Sequence, residues 1–291
     1  APYQDAYDYD DSDYDAAFAG RSAHKGLNQI KFDFIHLFMK QIGPQHHDLQ
    51  AILSHFPADA LVGDPSIFAA FTVNEKGGPP NATYNITVLG IKGRDVAPFG
   101  LGMLPIDSAL GRLRNRLLYG LASNVIFKAV SDEFGRQCQS VGAASRKFDG
   151  VPVSPYLFLQ PTVPACEYPR TDLPPQVHFI GALLPDAPTD FTPPAWWDQV
   201  VHKQRPVVLV TQGTVATDVQ ELVVPALRAL ANEDVTVIAA GVKDRNALGA
   251  EPLPTNLYVE AFIPFKVLLP YVDVYITNGG YGGVMTALSH G

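Results

Sequence analysis

The chain has 291 residues, a net charge of −8 and 47% apolar side chains, enough for one large domain or two ordinary ones with an ample core. The acidic balance argues against a nucleic-acid partner, and two cysteines, Cys138 and Cys166, are too few for a disulfide framework and follow no metal-ligand spacing. No apolar run reaches the ~20 residues that span a bilayer, and the chain opens with acid and tyrosine in place of a basic, then apolar, leader; the reading is a cytoplasmic protein with reduced thiols and no membrane association indicated.

Residues 1–26 are rich in Asp, Tyr and Ala without a helical or strand period, which predicts a loosely packed segment. From 27 to 42, Ile30, Phe34, Leu37, Phe38 and Ile42 recur at helical spacing and predict an amphipathic helix. A second helix is expected over 48–55, ending before Pro57, and residues 60–63 read as a short buried strand closed by Asp64 and Pro65. Asp64 carries two readings. It can cap a helix opening at Pro65, or it can belong to a site, because the C-terminal ends of parallel strands are where α/β sheets build sites. The sequons at Asn81 and Asn85 would matter only in a secreted protein and read as chance.

The next strand is expected at 87–89, followed by a loop punctuated by glycine and proline over 92–102, in which Arg94 and Asp95 read as a surface ion pair. A long helical pattern covers 110–134, with Leu113, Leu117, Leu121, Ile126 and Val130 on one face. Residues 156–159 and 177–180 read as the last strands of a first domain, 1–184. The proline-rich stretch 185–194 opens an interdomain linker, 185–205, in which Trp196 and Trp197 begin a short helix. The second domain, 206–291, is expected to run strand 207–211, helix 218–231, strands 235–239 and 257–259, helix 265–270 and strand 273–276, with Pro225 kinking its first helix. Apolar strands alternating with helices predict a parallel sheet covered on both faces.

Three stretches of the second domain carry chemistry. Residues 273–288 read as an apolar strand, a glycine-dense turn over 278–283 and the start of a helix; such a turn lets backbone approach a ligand and aims unpaired N–H groups at an anion such as a diphosphate. Residues 207–218 end a second apolar strand in Thr211-Gln212-Gly213-Thr214, before a helix that Thr217 or Asp218 can cap. Residues 257–270 give a strand and an elbow, Phe262-Ile263-Pro264-Phe265.

In order and spacing, these three stretches resemble the donor-binding domain of nucleotide-sugar-dependent glycosyltransferases, most closely the UDP-glycosyltransferase and macrolide-glycosyltransferase-like group. The resemblance implies the GT-B fold: α/β, two Rossmann-like parallel-sheet domains facing a cleft, both incomplete in this chain. It implies an enzyme that moves a hexose from a UDP-sugar donor to a small lipophilic hydroxyl acceptor with inversion. The 1–184 domain lies on the acceptor side and lacks the family's first strand; 206–291 binds the donor. Gly213, Thr214, Asn278, Gly279, Gly280, Gly282 and Gly283 are the implied diphosphate cradle, while Phe262, Ile263 and Phe265 form the elbow at the nucleobase. Two helix starts clamping the diphosphate would replace a metal, so no metal and no cofactor are expected.

Asn278 takes the place of a phosphate-contacting histidine, Phe265 that of a base-reading amide, and Thr286 that of a ribose-binding Glu. By the same resemblance Asp64 orients a base histidine, which this chain does not contain: His24, His46 and His47 match nothing in the motif and read as surface residues. The chain thus resembles the middle of such an enzyme, inactive by itself. A different class stays open, a non-catalytic nucleotide-binding or partner-stabilising paralogue; a UDP-sugar epimerase fits the glycine-rich pair less well.

Overall fold

The computed structural model describes residues 14–213, 218–249 and 253–291, so most of the segment expected to be loose and the residues Thr214 and Thr217 lie outside it. The chain divides into two compact units, Ala1–Gly181 and Ala182–Gly291, each with its own four-stranded sheet. All strand pairs in both sheets are parallel.

The first unit holds helices α1 (Tyr14–Ala17), α2 (Leu27–Asp33), α3 (Ile42–His55), α4 (Ala69–Glu75), α5 (Ala109–Leu121) and α6 (Lys128–Ser140), with strands β1 (Leu61–Gly63), β2 (Asn81–Tyr84), β3 (Leu157–Gln160) and β4 (Val177–Phe179). The helices expected over 27–42 and 48–55 run into each other without a loop. A π turn (Phe34–Phe38) and a 3-10 turn (Met39–Gln41) join them. Pro44 accounts for the 3-10 turn: it cannot donate to the carbonyl of Lys40, and its ring crowds that turn. Met39 and Ile42, both fully buried, then pack with Phe68, Val130, Phe134 and Cys138 as the core between α3, α4 and α6.

The sheet order is β1-β2-β3-β4. β1 forms where expected, but it is an edge strand and not a buried one: Val62 is 71% exposed. The following strand is Asn81–Tyr84, not 87–89. Backbone at 87–89 is held by side chains instead of a ladder: Asn85 Nδ2 donates to the carbonyls of Thr87 (2.7 Å) and Val88 (3.2 Å), and Leu89 N–H donates to Glu167. Both sequon asparagines, Asn81 and Asn85, are buried. The helix expected over 110–134 is broken by a π turn (Ala122–Ile126), and Val130 alone of its predicted stripe is fully buried. Leu113, Leu117 and Leu121 face outward, while Gly111, Asn115 and Tyr119 form the buried face of α5.

The second unit has β5 (Val207–Thr211), β6 (Thr236–Ala240), β7 (Leu257–Glu260) and β8 (Val274–Thr277), with helices α7 (Trp197–Val201), α8 (Val223–Leu230), α9 (Phe265–Leu268) and α10 (Tyr281–Leu288). Every residue of β5 is buried. Its alternate side chains enter two cores, Val208 and Val210 against α8, Val207 and Leu209 against Trp196, Ile263 and Leu268, as a sheet covered on both faces requires. α8 starts at Val223, five residues later than expected. Pro225 therefore sits in its first turn, where the missing N–H has no intrahelical partner to lose, and it does not act as a mid-helix kink.

Candidate functional site

The order of the second sheet is β7-β6-β5-β8. The chain steps outward from β5 to β6 to β7, then returns to lay β8 on the other side of β5. Such a reversal leaves a crevice at the C-terminal ends of the two strands where it occurs, the place where open α/β sheets bind ligands. Here those strands are β5 and β8, paired from Val208 with Val274 to Thr211 with Thr277.

Both strand ends turn through glycines with left-handed backbone, Gly213 at φ 79° and Gly279 at φ 83°, and the neighbouring β6 ends in Gly241 at φ 85°. A side chain is strained at such angles. Asn278 ties the two ends together: its Nδ2 donates to the carbonyl of Gln212 at 2.5 Å, and its Oδ1 lies 3.6 Å from where a Cβ on Gly213 would stand. The amide carries a second N–H besides the one that makes this bond. At the base of the strands, Asp273 accepts from Val207 N–H (2.8 Å) and from Lys203 Nζ (2.8 Å), which pull its carboxyl below the ordinary range, lysine first.

Gly213 does not stand at a helix N-terminus, as the sequence reading had it, because α8 begins ten residues later. Nor does Asp218 cap that helix. Its carboxylate accepts from Gln220 N–H in a local turn, while Gln212 Oε1 accepts from the N–H groups of Leu222 (3.2 Å) and Val223 (3.4 Å). Gln212 Nε2 donates to the Asp218 carbonyl at 2.6 Å, so one side chain holds both ends of the segment after β5. Gln212 and Gly241 stand at these strand ends without having been among the expected cradle residues. The signal for Gly241 was present, a glycine closing an apolar strand; Gln212 had none, since its role depends on where α8 starts.

The turn after β8 is shorter than expected. It spans 278–280, and α10 starts at Tyr281 with Gly280 as N-cap and no side-chain cap, so Gly282 and Gly283 lie in its first turn. The glycines differ in surroundings. A Cβ on Gly280 would stand 3.8 Å from Asn278 Oδ1, and one on Gly282 would meet nothing within 4 Å. A Cβ on Gly283 would collide with the hydroxyl of Tyr275. Gly283 thus belongs to helix–strand packing, with Phe265 and Tyr275 in edge contact beside it (centroids 6.0 Å apart).

The elbow after β7 divides in the same way. Phe262 is 80% exposed, Ile263 is core, and Phe265 packs inward. Beneath it Trp196 stacks on Tyr258 (5.1 Å) and donates its indole N–H to Glu260 at 2.7 Å. Thr286 is buried and donates to the Gly282 carbonyl within its own helix at 2.7 Å.

In the first unit, Asp64 follows β1, but no helix starts at Pro65; α4 begins at Ala69. Asp64 Oδ1 accepts from the N–H of Ser66 (2.7 Å) and from its hydroxyl, closing an Asx turn. Among the described residues no histidine hydrogen-bonds Asp64. His46, expected at the surface, is 3% exposed. The Thr72 hydroxyl donates to the Ala69 carbonyl (2.9 Å), so it accepts from His46 Nδ1–H (2.8 Å) and fixes that tautomer. Burial first, then the charges of His47 and Lys76, lower the His46 pKa.

The Arg94–Asp95 pair is also more than a surface contact. Asp95 is buried and accepts from the hydroxyl and N–H of Thr171 (both 2.7 Å) and from Arg112 (2.9 Å), which hold its carboxyl far below the usual range. Both cysteines are free; burial pushes the Cys138 thiol up to about 11. Among the described residues no group of three His, Cys, Asp or Glu side chains could hold a metal, and no helix is long and apolar enough to cross a membrane.

Two four-stranded parallel sheets in one chain, one of them with a switch-point crevice, fit the architecture of a GT-B glycosyltransferase, and the comparisons agree. CalG4, the calicheamicin glycosyltransferase, superposes with a TM-score of 0.59 at 17% identity, over 95% of this chain and 64% of that one. No family model matches the chain. It is 44% identical over 297 residues to 4'-demethylrebeccamycin synthase of Lentzea aerocolonigenes, covering 100% of this chain and 69% of that protein. It is 33% identical over 278 residues to UDP-glycosyltransferase 2 of Phaeomoniella chlamydospora, where it spans 88% of its own length and 60% of the relative's. The chain belongs to the UDP-glycosyltransferase family of GT-B glycosyltransferases.

Proposed function

We propose that the whole protein transfers a hexose from a UDP-sugar to a hydroxyl of a small lipophilic acceptor, with inversion, and that the second unit holds the donor. The observation that carries this reading is the switch point between β5 and β8, bridged by Asn278 and opening onto the uncapped start of α10. The diphosphate lies against Gly213, Gly279, Gly280 and Gly282, with the N–H groups of the first turn of α10 and the remaining Asn278 N–H as donors, and carries its charge without a metal. Phe262 offers the exposed ring on which a base stacks. Thr214, next to Gly213, is assigned to the same cradle, and Ile263 and Phe265 set the angle of the elbow from beneath.

The first unit takes the acceptor side. Asp64 is proposed as a positioning residue for a histidine base in the whole protein: Oδ1 is held by Ser66, and the other oxygen remains to orient an imidazole, so that it can take the acceptor proton as the hydroxyl attacks the anomeric carbon. A second reading, a nucleotide-binding paralogue without catalysis, draws support from His46, whose burial removes it as a base. Because the chain spans only part of its relatives' length, turnover by the intact protein decides between them.

Titration calorimetry tests the donor site. UDP should bind the wild type, and Gly280→Val should fold but lose measurable binding, because the space around Gly280 admits a Cβ while the branches of valine enter the cradle. A folded wild-type protein that does not bind UDP, or a Gly280→Val protein that binds it equally well, defeats the assignment.

A further inference from the structure

Helix α5 is amphipathic in the wrong sense for a core helix. Its buried face is Gly111, Asn115 and Tyr119, held by polar contacts: Asn115 Nδ2 donates to the Arg94 carbonyl (2.9 Å) and the Tyr119 hydroxyl to that of Ala97 (3.4 Å). Its outward face is a line of leucines, Leu110 (78% exposed), Leu113, Leu117 (65%) and Leu121, continued by Val125 in the π turn. The spacing of three and four residues keeps them on one stripe.

The edge of this stripe is cationic, in a protein whose net charge is −8. Lys92, Arg94, Arg112 and Arg116 line an open groove of ≈ 710 Å³ that also takes in Leu113 and Asn124. Several of these cations already face acids: Lys92 meets Asp149 (2.7 Å), Arg112 meets Asp95 (2.9 Å) and Asp107 (3.3 Å), and Arg94 lies 3.8 Å from Asp95. Arg116 has no carboxylate partner among the described residues, and Lys147, in the irregular segment after α6, donates to the neutral Asn124 of the π turn (2.8 Å). A leucine stripe flanked by uncompensated cations is the pattern of a helix that lies in a membrane interface, apolar side chains among the acyl chains and cations at the headgroups.

We propose that the outward face of α5 docks onto an anionic lipid surface. The charge decides for lipid over a second copy of the chain, since an isologous contact through this face would bring two sets of the same cations together. The surface concerns the first unit alone and is independent of donor binding. It revises the expectation from composition, because binding in the plane of an interface needs no spanning segment.

Co-sedimentation of the intact protein with phosphatidylcholine vesicles, with and without phosphatidylserine, is the test. Binding is expected only with phosphatidylserine and should fade with added salt. Arg116→Gln should weaken it about fivefold, and Leu117→Gln about tenfold or more. Leu117 is exposed, so the variant should keep its circular dichroism and melting temperature. Sedimentation that does not depend on phosphatidylserine, or that is the same for Leu117→Gln and wild type, overturns the proposal. Absent vesicle binding together with a dimer that Leu117→Gln dissociates also overturns it and assigns the face to a second copy.

Discussion

Replacing Gly283 by alanine separates a packing glycine from a ligand-cradle glycine within one turn of α10. In an open helix position the change should stabilise by about 1 kcal/mol, since alanine is the better helix former. At Gly283 the new methyl collides with the Tyr275 hydroxyl, and overpacking of this kind costs about 1–3 kcal/mol. The net result is a loss of roughly 0–2 kcal/mol. Tyr275→Phe removes the colliding oxygen; the next atoms met are the former phenol carbon at 3.4 Å and Phe265 Cε2 at 3.5 Å, which are ordinary contacts. In that background Gly283→Ala should stabilise by the full helix-propensity gain, giving a coupling of about 1–3 kcal/mol in the double-mutant cycle. The hydrogen bond between Tyr275 and Thr277 is lost on both legs and cancels. Urea unfolding at equilibrium supplies the four free energies. Additive effects, or a Gly283→Ala protein as much stabilised in the wild-type background as in Tyr275→Phe, would refute the packing role and return Gly283 to the diphosphate cradle.

Two further outcomes follow from exposure and burial. Phe262→Ala should leave urea stability unchanged and weaken UDP binding by about 1–3 kcal/mol, the range for a base stacked on an aromatic ring, whereas Ile263→Ala should cost about 2–5 kcal/mol of stability; calorimetry and unfolding on the same samples check the pair. His46, lowered by burial, binds its proton more weakly in the native state than in the unfolded one. Its stabilisation is complete above the unfolded value of about 6.5 and is lost as pH falls from there through the native value. His46→Gln should therefore flatten the decline in urea midpoint below neutrality, leaving the slope due to His36, which burial also lowers. An unchanged profile would exclude His46 as its origin.

What was legible in the sequence was what repeats along it. The strands of the second sheet each formed within a residue or so of their expected places; β5 and β6 are mostly apolar runs buried nearly throughout, while the edge strands β7 and β8 are only half-buried but keep an apolar majority. The order of glycine turn and helix start after β8 was legible as well. What depends on distant partners was not. Residues 87–89 carry a strand-like composition, yet Asn85 and Glu167, the latter far along the chain, take up their backbone groups. The leucines of α5 have the spacing of a core stripe, but periodicity reports which residues share a face, not which face is covered. Helix α8 starts late because Gln212 satisfies the N–H groups of Leu222 and Val223, a bond between residues ten and eleven apart that no capping pattern encodes.

The glycines after β8 do not all argue equally for a ligand. Gly279 is explained by its left-handed backbone and Gly283 by Tyr275, so either would be needed in a protein that bound nothing. Gly282 has neither reason. It lies exposed in the first turn of α10, and a Cβ there would enter open space. Glycine in a helix costs about 1 kcal/mol against alanine, so this position gives up stability with no structural return, as sequences do where function sets the residue. Gly282→Ala should therefore raise urea stability by up to about 1 kcal/mol, less than mid-helix because the site is in the first turn. The same change should weaken UDP binding, since its methyl borders the N–H groups assigned to the diphosphate. A variant that gains stability and keeps full UDP affinity would remove Gly282 from the cradle and confine the diphosphate contacts to Gly213, Thr214, Asn278, Gly279 and Gly280.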